Sequence, residues 1–197
     1  MSVILSMAIF SISMSISPGP VNIMALSSGL NHGFAKTFSF VTGATIGFVS
    51  LLLLIGVGLG SLNAEYPPVL SILKYIGCIY VFYIGLKVFN TKGLINSCDR
   101  KDETLPTFTQ GWLMQWLNPK AWGACFAGCS LFEVYFSSER LLLFLIIYFT
   151  LCYFGIAAWA LLGDKVQLWI NSEMKVKIFN RIMGSLLFGL SGVIFFA

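Results

Sequence analysis

The chain has 197 residues, 57% hydrophobic and 10% charged, with a net charge of +4. A soluble domain uses roughly 25% charged residues, so this chain cannot cover a water-facing surface. One greasy core helix would not explain several charge-free blocks such as 37–64 and 141–163, each long enough to cross a hydrocarbon core about 30 Å thick.

The first apolar run begins at Val3, and its first basic residue is Lys36. It lacks the basic lead of a cleaved signal peptide, so a retained helix is expected over 2–31. That helix is interrupted at Ser17-Pro18-Gly19-Pro20-Val21-Asn22. Proline has no N–H and obstructs the carbonyl four residues back, so Pro18 frees the carbonyl of Met14 and Pro20 that of Ile16. Pro20 suits the first position of a new half-helix, and Gly19 permits a turn that other residues resist. Ser2, Ser6, Ser13 and Ser17 fall on one face, for close helix packing or for a transport path. The second helix is expected over 37–62. Its Gly43/Gly47 and Gly56/Gly60 pairs read as packing, while Thr42 and Thr45 could bond a substrate or their own backbone. A third helix spans 67–90, and the polar stretch 91–108 reads as a linker.

The fourth helix, 109–133, is interrupted at Gln115-Trp-Leu-Asn118-Pro119-Lys120-Ala121. Pro119 frees the carbonyl of Gln115, and Asn118 is a good N-cap for the half-helix that follows. Lys120 is the only charge between Glu103 and Glu133. An ionisable group at membrane depth marks a functional site unless it snorkels to the surface. Asp164, after Gly163, reads as a cap ending a fifth helix over 140–163. Glu133, Glu139 and Arg140 form a short outer loop, and a sixth helix covers 176–197. The five tryptophans suit interfacial or packing positions. Five cysteines, Cys78, Cys98, Cys125, Cys129 and Cys152, are an odd set mostly within apolar runs, which argues against a disulfide framework. Cys125 and Cys129 read as packing residues. His32 is the one histidine, no cluster has metal-ligand spacing, and neither a metal nor another cofactor is expected. The basic residues form no stripe, so no nucleic-acid partner is expected either. There is no P-loop for ATP.

Basic residues set the orientation. Lys36, Lys87, Lys92, Arg100, Lys101, Lys165, Lys175, Lys177 and Arg181 fall on one side, against Lys74 and Arg140 on the other. Loops 1–2, 3–4 and 5–6 are therefore expected in the cytoplasm and both termini outside. The two proline breaks open the two three-helix halves. An odd number of crossings per half gives the halves opposite orientation. The expected fold is thus an all-α integral membrane protein: about six transmembrane helices arranged as a 3+3 inverted repeat with broken first and fourth helices. It forms one membrane domain: half 1–90, cytoplasmic linker 91–108, half 109–197. Paired broken helices mark a binding site. The expected substrate contacts are Pro18, Gly19, Pro20, Asn22, Thr42, Thr45, Gln115, Asn118, Pro119 and Lys120, with half-helix N-termini attracting a carboxylate.

Pro18-Gly-Pro-Val-Asn22, Ala25-Leu-Ser-Ser-Gly29 and His32-Gly33-Phe34, the glycines Gly43 and Gly47, and Gly111-Trp112 through Gln115-x-x-Asn118-Pro-Lys120-Ala121 resemble the signatures of LysE/RhtB amino-acid exporters over essentially the whole chain. The arrangement looks most like the branch that exports cysteine and O-acetylserine, although Val21 intervenes where that family often has asparagine directly after Pro-Gly-Pro. The resemblance implies a non-enzymatic secondary transporter in the bacterial inner membrane, exporting amino acids or their derivatives and driven by protons. The residues leave direction open: an importer would carry the same site. The same residues would also suit a passive channel for small metabolites or a membrane assembly subunit that transports nothing. Dimerisation through glycine-bearing faces stays open too, since those faces can pack internally.

Overall fold

The computed structural model describes residues 3–59, 67–90, 105–169 and 172–196. Most of the expected linker, 91–104, lies outside the described residues, as do Ser2 and Gly60 and the side chains of Lys74 and Cys78. Among the described residues the chain is all helical: α1 (Val3–Ile16), α2 (Pro20–His32), α3 (Phe34–Leu54), α4 (Pro67–Asn90), α5 (Phe108–Trp116), α6 (Pro119–Leu131), α7 (Ser138–Trp169) and α8 (Glu173–Phe196). A π turn over Ile55–Leu59 extends α3, and a 3-10 turn over Val134–Phe136 precedes α7.

Phe34–Val57 and Ser138–Val166 are each long and apolar enough to cross a membrane. Helices α1 and α2 pass the same test only as a pair, bent by 59° at the break. Long apolar side chains on α1, α4 and α7 are exposed, among them Ile4, Ile79 and Phe154, as expected where lipid replaces water.

Both proline-marked breaks are present, between α1 and α2 and between α5 and α6. Pro20 and Pro119 each occupy the first turn of the new half-helix. Elsewhere the boundaries move. The expected loop between the first two spans shrinks to Gly33, whose φ of 82° favours glycine. Lys36 accordingly lies on the first turn of α3. Asp164 ends nothing, because α7 continues to Trp169. Gly163 is instead a packing residue, with no room for a side chain against the backbone carbonyl of Leu26.

Glycine sets how closely the helices approach. A Cβ on Gly43 or Gly47 would meet the backbone of Phe108 or Trp112, and one on Gly111 the backbone of Phe40, so α3 and α5 touch backbone to backbone. Gly29 against Ala160 does the same for α2 and α7, and Gly184 against Gly85 and Phe89 for α4 and α8. Small residues let dispersion and close contact hold helices together where lipid supplies no hydrophobic contrast. Phe48 stacks on Tyr148 with ring centroids 4.2 Å apart, joining α3 to α7 at the centre of the core.

On α1 the buried face differs from the expected one. Met7, Ser11 and Ser15 point inward, whereas Ser13 is exposed and bonds the carbonyl of Ile9 in its own helix. With serines on several faces and lipid as apolar as the core, sequence spacing does not fix which face turns in.

Candidate functional site

The breaks leave carbonyls without helical donors, and each has found another. Ser17 Oγ donates to Met14 O at 3.0 Å. Trp159 Nε1, from α7, donates to Ile16 O at 3.1 Å. Asn118 N–H reaches Gln115 O at 3.2 Å. At the end of α5, Trp122 Nε1 donates to Trp116 O at 2.7 Å. The side-chain amide of Asn22 spans the first break, donating to Ser15 O at 2.7 Å and Ser17 O at 3.0 Å. An unsatisfied group at membrane depth costs several kcal/mol, so these bonds are what make the breaks tolerable. The tryptophans are therefore more than packing or interfacial residues: Trp122 and Trp159 each hold a break.

Lys120 connects the two breaks. Its Nζ donates to both the carbonyl and the hydroxyl of Ser17, 2.7 Å to each. The side chain is half-buried, and no carboxylate lies within ion-pair reach of it among the described residues. It points across to the first break instead of snorkelling. A cation at the C-terminal end of α1 is favoured by the helix dipole. Gly19 has an extended φ of −167°, a conformation open to any residue, so its expected role in the turn is corrected. Its lack of a side chain makes room for Lys120: a Cβ would lie 3.3 Å from Lys120 Cδ and Nζ.

The half-helix N-termini are unequal. Asn118 caps α6 as expected, its side chain accepting from Lys120 N–H at 3.1 Å, and Ala121 N–H bonds Asn118 O at 2.9 Å. That end has little left to offer an anion. The N-terminus of α2 has no side-chain cap.

A small cavity of about 30 Å³ lies where the breaks meet. That is room for a water or two. Of the expected residues it is lined by Gly19, Asn22, Gln115, Asn118 and Lys120. Pro18, Pro20 and Pro119 shape the breaks without lining it. Thr42 and Thr45 do not line it either, their hydroxyls bonded to Phe38 O at 2.9 Å and Val41 O at 3.0 Å in their own helix, although Thr45 also meets the cavity-lining Cys152. Thr42 additionally meets the Tyr153 hydroxyl at 3.3 Å. The lining also includes Ser15, Phe48, Tyr148, Cys152 and Ile156, none anticipated. Tyr148, Cys152 and Ile156 recur at helical spacing along α7, a weak signal inside an apolar run. Cys125, Cys129 and Cys152 are buried free thiols, the first two in the packing role expected of them.

A model of the LysE type translocator family matches residues 12–196. The chain is 26% identical over 180 residues to a homoserine/homoserine lactone efflux protein of Salmonella typhimurium, covering 88% of this chain and 86% of that relative. Over shorter stretches it resembles a cysteine/O-acetylserine efflux protein of Salmonella choleraesuis, 32% identical over 73 residues and 37% of each chain. It is also 32% identical over 71 residues to a leucine efflux protein of an Enterobacter species, covering 36% of this chain and 34% of that relative. No solved structure matches.

Proposed function

The chain belongs to the LysE type translocator family, and from that premise we propose that it exports amino acids or their derivatives across the bacterial inner membrane, coupled to protons. The observation that carries the site is the bridge from Lys120 to Ser17 across both breaks, at 2.7 Å. A substrate carboxylate competes with Ser17 for the ammonium, and the uncapped N-terminus of α2 faces the same carboxylate. Exchange of Lys120 between Ser17 and substrate links binding to the angle between α1 and α2. Because the cavity is so small, loading requires the breaks to part.

The proposed topology is six crossings: α1–α2, α3, α4, α5–α6, α7 and α8, arranged as two inverted halves, 1–90 and 109–197, joined by a cytoplasmic linker. Three packing relations support it. α1 lies on α7 as α5 lies on α3, and α4 lies on α8, which is the pattern expected if exchanging the halves maps the fold onto itself. The broad α2–α7 contact has only a thin counterpart between α6 and α3, so the two halves have diverged at the site.

The test is to measure amino acids and thiols in the medium of cells overproducing the protein, beside Lys120→Ala and Lys120→Arg at equal membrane levels. Selective accumulation outside, reduced at least tenfold by Lys120→Ala and partly restored by Lys120→Arg, is expected. Accumulation that survives Lys120→Ala would remove Lys120 from the mechanism. Flux without saturation or gradient dependence would favour a channel.

A further inference from the structure

A second and much larger opening, a groove of about 790 Å³, lies along the first turns of α1, beside the end of α6 and the start of α7. Three stripes of side chains run from this groove to the small cavity, each at four-residue spacing and so on one helix face. On α1, Ser6 and Phe10 line the groove and Met14 the cavity. On α7, Arg140 lines the groove, Phe144 is fully buried and Tyr148 lines the cavity. On α6 and just past its end, Ala124 lines the cavity, Gly128 follows and Phe132 lines the groove. Where the stripes meet, a cluster of rings stands between the two spaces. Phe10 touches the other three, with ring centroids 5.7 Å from Phe132, 6.2 Å from Phe144 and 6.4 Å from Tyr148. Phe144 in turn packs on Phe132 at 5.1 Å and Tyr148 at 5.5 Å. Gly128 provides the seat, since a Cβ there would fall 2.7 Å from Phe144 Cζ and 3.1 Å from Phe10 Cε1.

Resting on the exporter reading and the topology above, we propose that the groove is the outer mouth of the transport path and that Phe10 is its gate, shut in this structure. The cavity is too small to hold a substrate, whereas a groove of this volume admits one. The phenylalanine rings offer no hydrogen bond to water or to an ion, so the closed cluster keeps both from crossing. Phe132, Phe144 and Tyr148 belong to the end of α6 and to α7, while Phe10 alone of the four is carried by α1. Phe10 lies about two turns before Ser17 on the same short helix. Substrate that takes Lys120 from Ser17 frees the end of α1 to pivot at the break, and the pivot withdraws Phe10 from the other rings. The gate therefore opens when the site is loaded. At the mouth, the exposed Arg140–Glu133 pair, 3.0 Å apart, presents both signs of charge, so a departing ion meets a polar rim instead of lipid.

Cys152 serves as the reporter, because it is buried and lines the cavity on the far side of the rings. With Cys78, Cys98, Cys125 and Cys129 replaced by alanine, intact cells are treated with a small membrane-impermeant methanethiosulfonate, and everted vesicles present the opposite face. Phe10→Ala is expected to speed modification of Cys152 on intact cells about tenfold, the scale of losing several edge-on ring pairs, and to leave the rate in everted vesicles as it was. Phe10→Leu keeps most of the apolar volume, so it folds even where alanine does not, and should give a smaller rise in the same direction. Phe82→Ala removes a ring packed on Phe188 between α4 and α8 and should change neither rate. An unchanged rate on intact cells in both Phe10 variants, at normal membrane levels, would overturn the gate. So would a rise equal on both faces or one matched by Phe82→Ala. A rise confined to everted vesicles would put the groove on the cytoplasmic side and overturn the exit route. Export is scored in the same cells: efflux retained with unchanged labelling removes the gate alone, whereas the expected labelling with no compound exported supports the closure and removes the exporter reading.

Discussion

Two glycines separate what a missing side chain does at the site from what it does in the scaffold. A methyl on Gly19 would meet the far end of Lys120, a flexible chain that can swing aside. A methyl on Gly43 would meet the backbone of Phe108, which cannot. Gly19→Ala should therefore accumulate in the membrane at normal levels with transport changed severalfold. Gly43→Ala should lower stability by about 1–3 kcal/mol, read as a fall in the detergent unfolding midpoint. If Gly19→Ala is the less stable of the two, Gly19 is scaffold. Lys120 was legible in sequence as the charge that ought not to be there. Its partner was not, because Ser17 is 103 residues away and no local rule joins them. Ser15, Tyr148 and Cys152 were illegible for another reason: within an apolar run, small and aromatic residues look the same whether they pack or line a cavity.

At the scale of the helix, proline announced both breaks, since no other residue removes a donor and blocks a carbonyl together. What holds the breaks could not be read the same way. Tryptophan in a membrane sequence suggests the interface, yet Trp159 and Trp122 donate to broken-helix carbonyls at 3.1 and 2.7 Å. Trp159→Phe keeps the ring and removes the donor, leaving Ile16 O short of a bond, and is expected to cost about 1–3 kcal/mol. Asn118→Ala should cost about 1 kcal/mol, with Asn118→Asp recovering most of it. Thermal unfolding in detergent checks both. A Trp159→Phe protein as stable as the parent would mean that Ile16 O finds another donor. The end of α7 was misread because glycine followed by aspartate resembles a helix stop, whereas Gly163 serves the contact with Leu26 on α2.

For the whole molecule, composition was sufficient for an all-helical membrane chain, and the family match agrees with the motifs at both breaks. How distant helices pair was less accessible, because it depends on polar contacts between residues far apart in the chain. Asn31 on α2 and the fully buried Asn180 on α8 exchange amide bonds of 2.9 Å in both directions, fastening the start of the chain to its end. Orientation rests on the charge bias and is open to direct measurement. In a cysteine-free background, Glu139→Cys should react with a membrane-impermeant maleimide on intact cells. Ser172→Cys should react only after permeabilisation. The reverse pattern would invert the proposed topology.

The bond from Trp159 to Ile16 O joins residues 143 positions apart, and this sets a timetable for synthesis. The first helix leaves the ribosome with a bend whose exposed carbonyl has no donor nearby, and the indole that satisfies it arrives near the end of translation. Until then that carbonyl must be wetted or sheltered, because hydrocarbon offers it nothing.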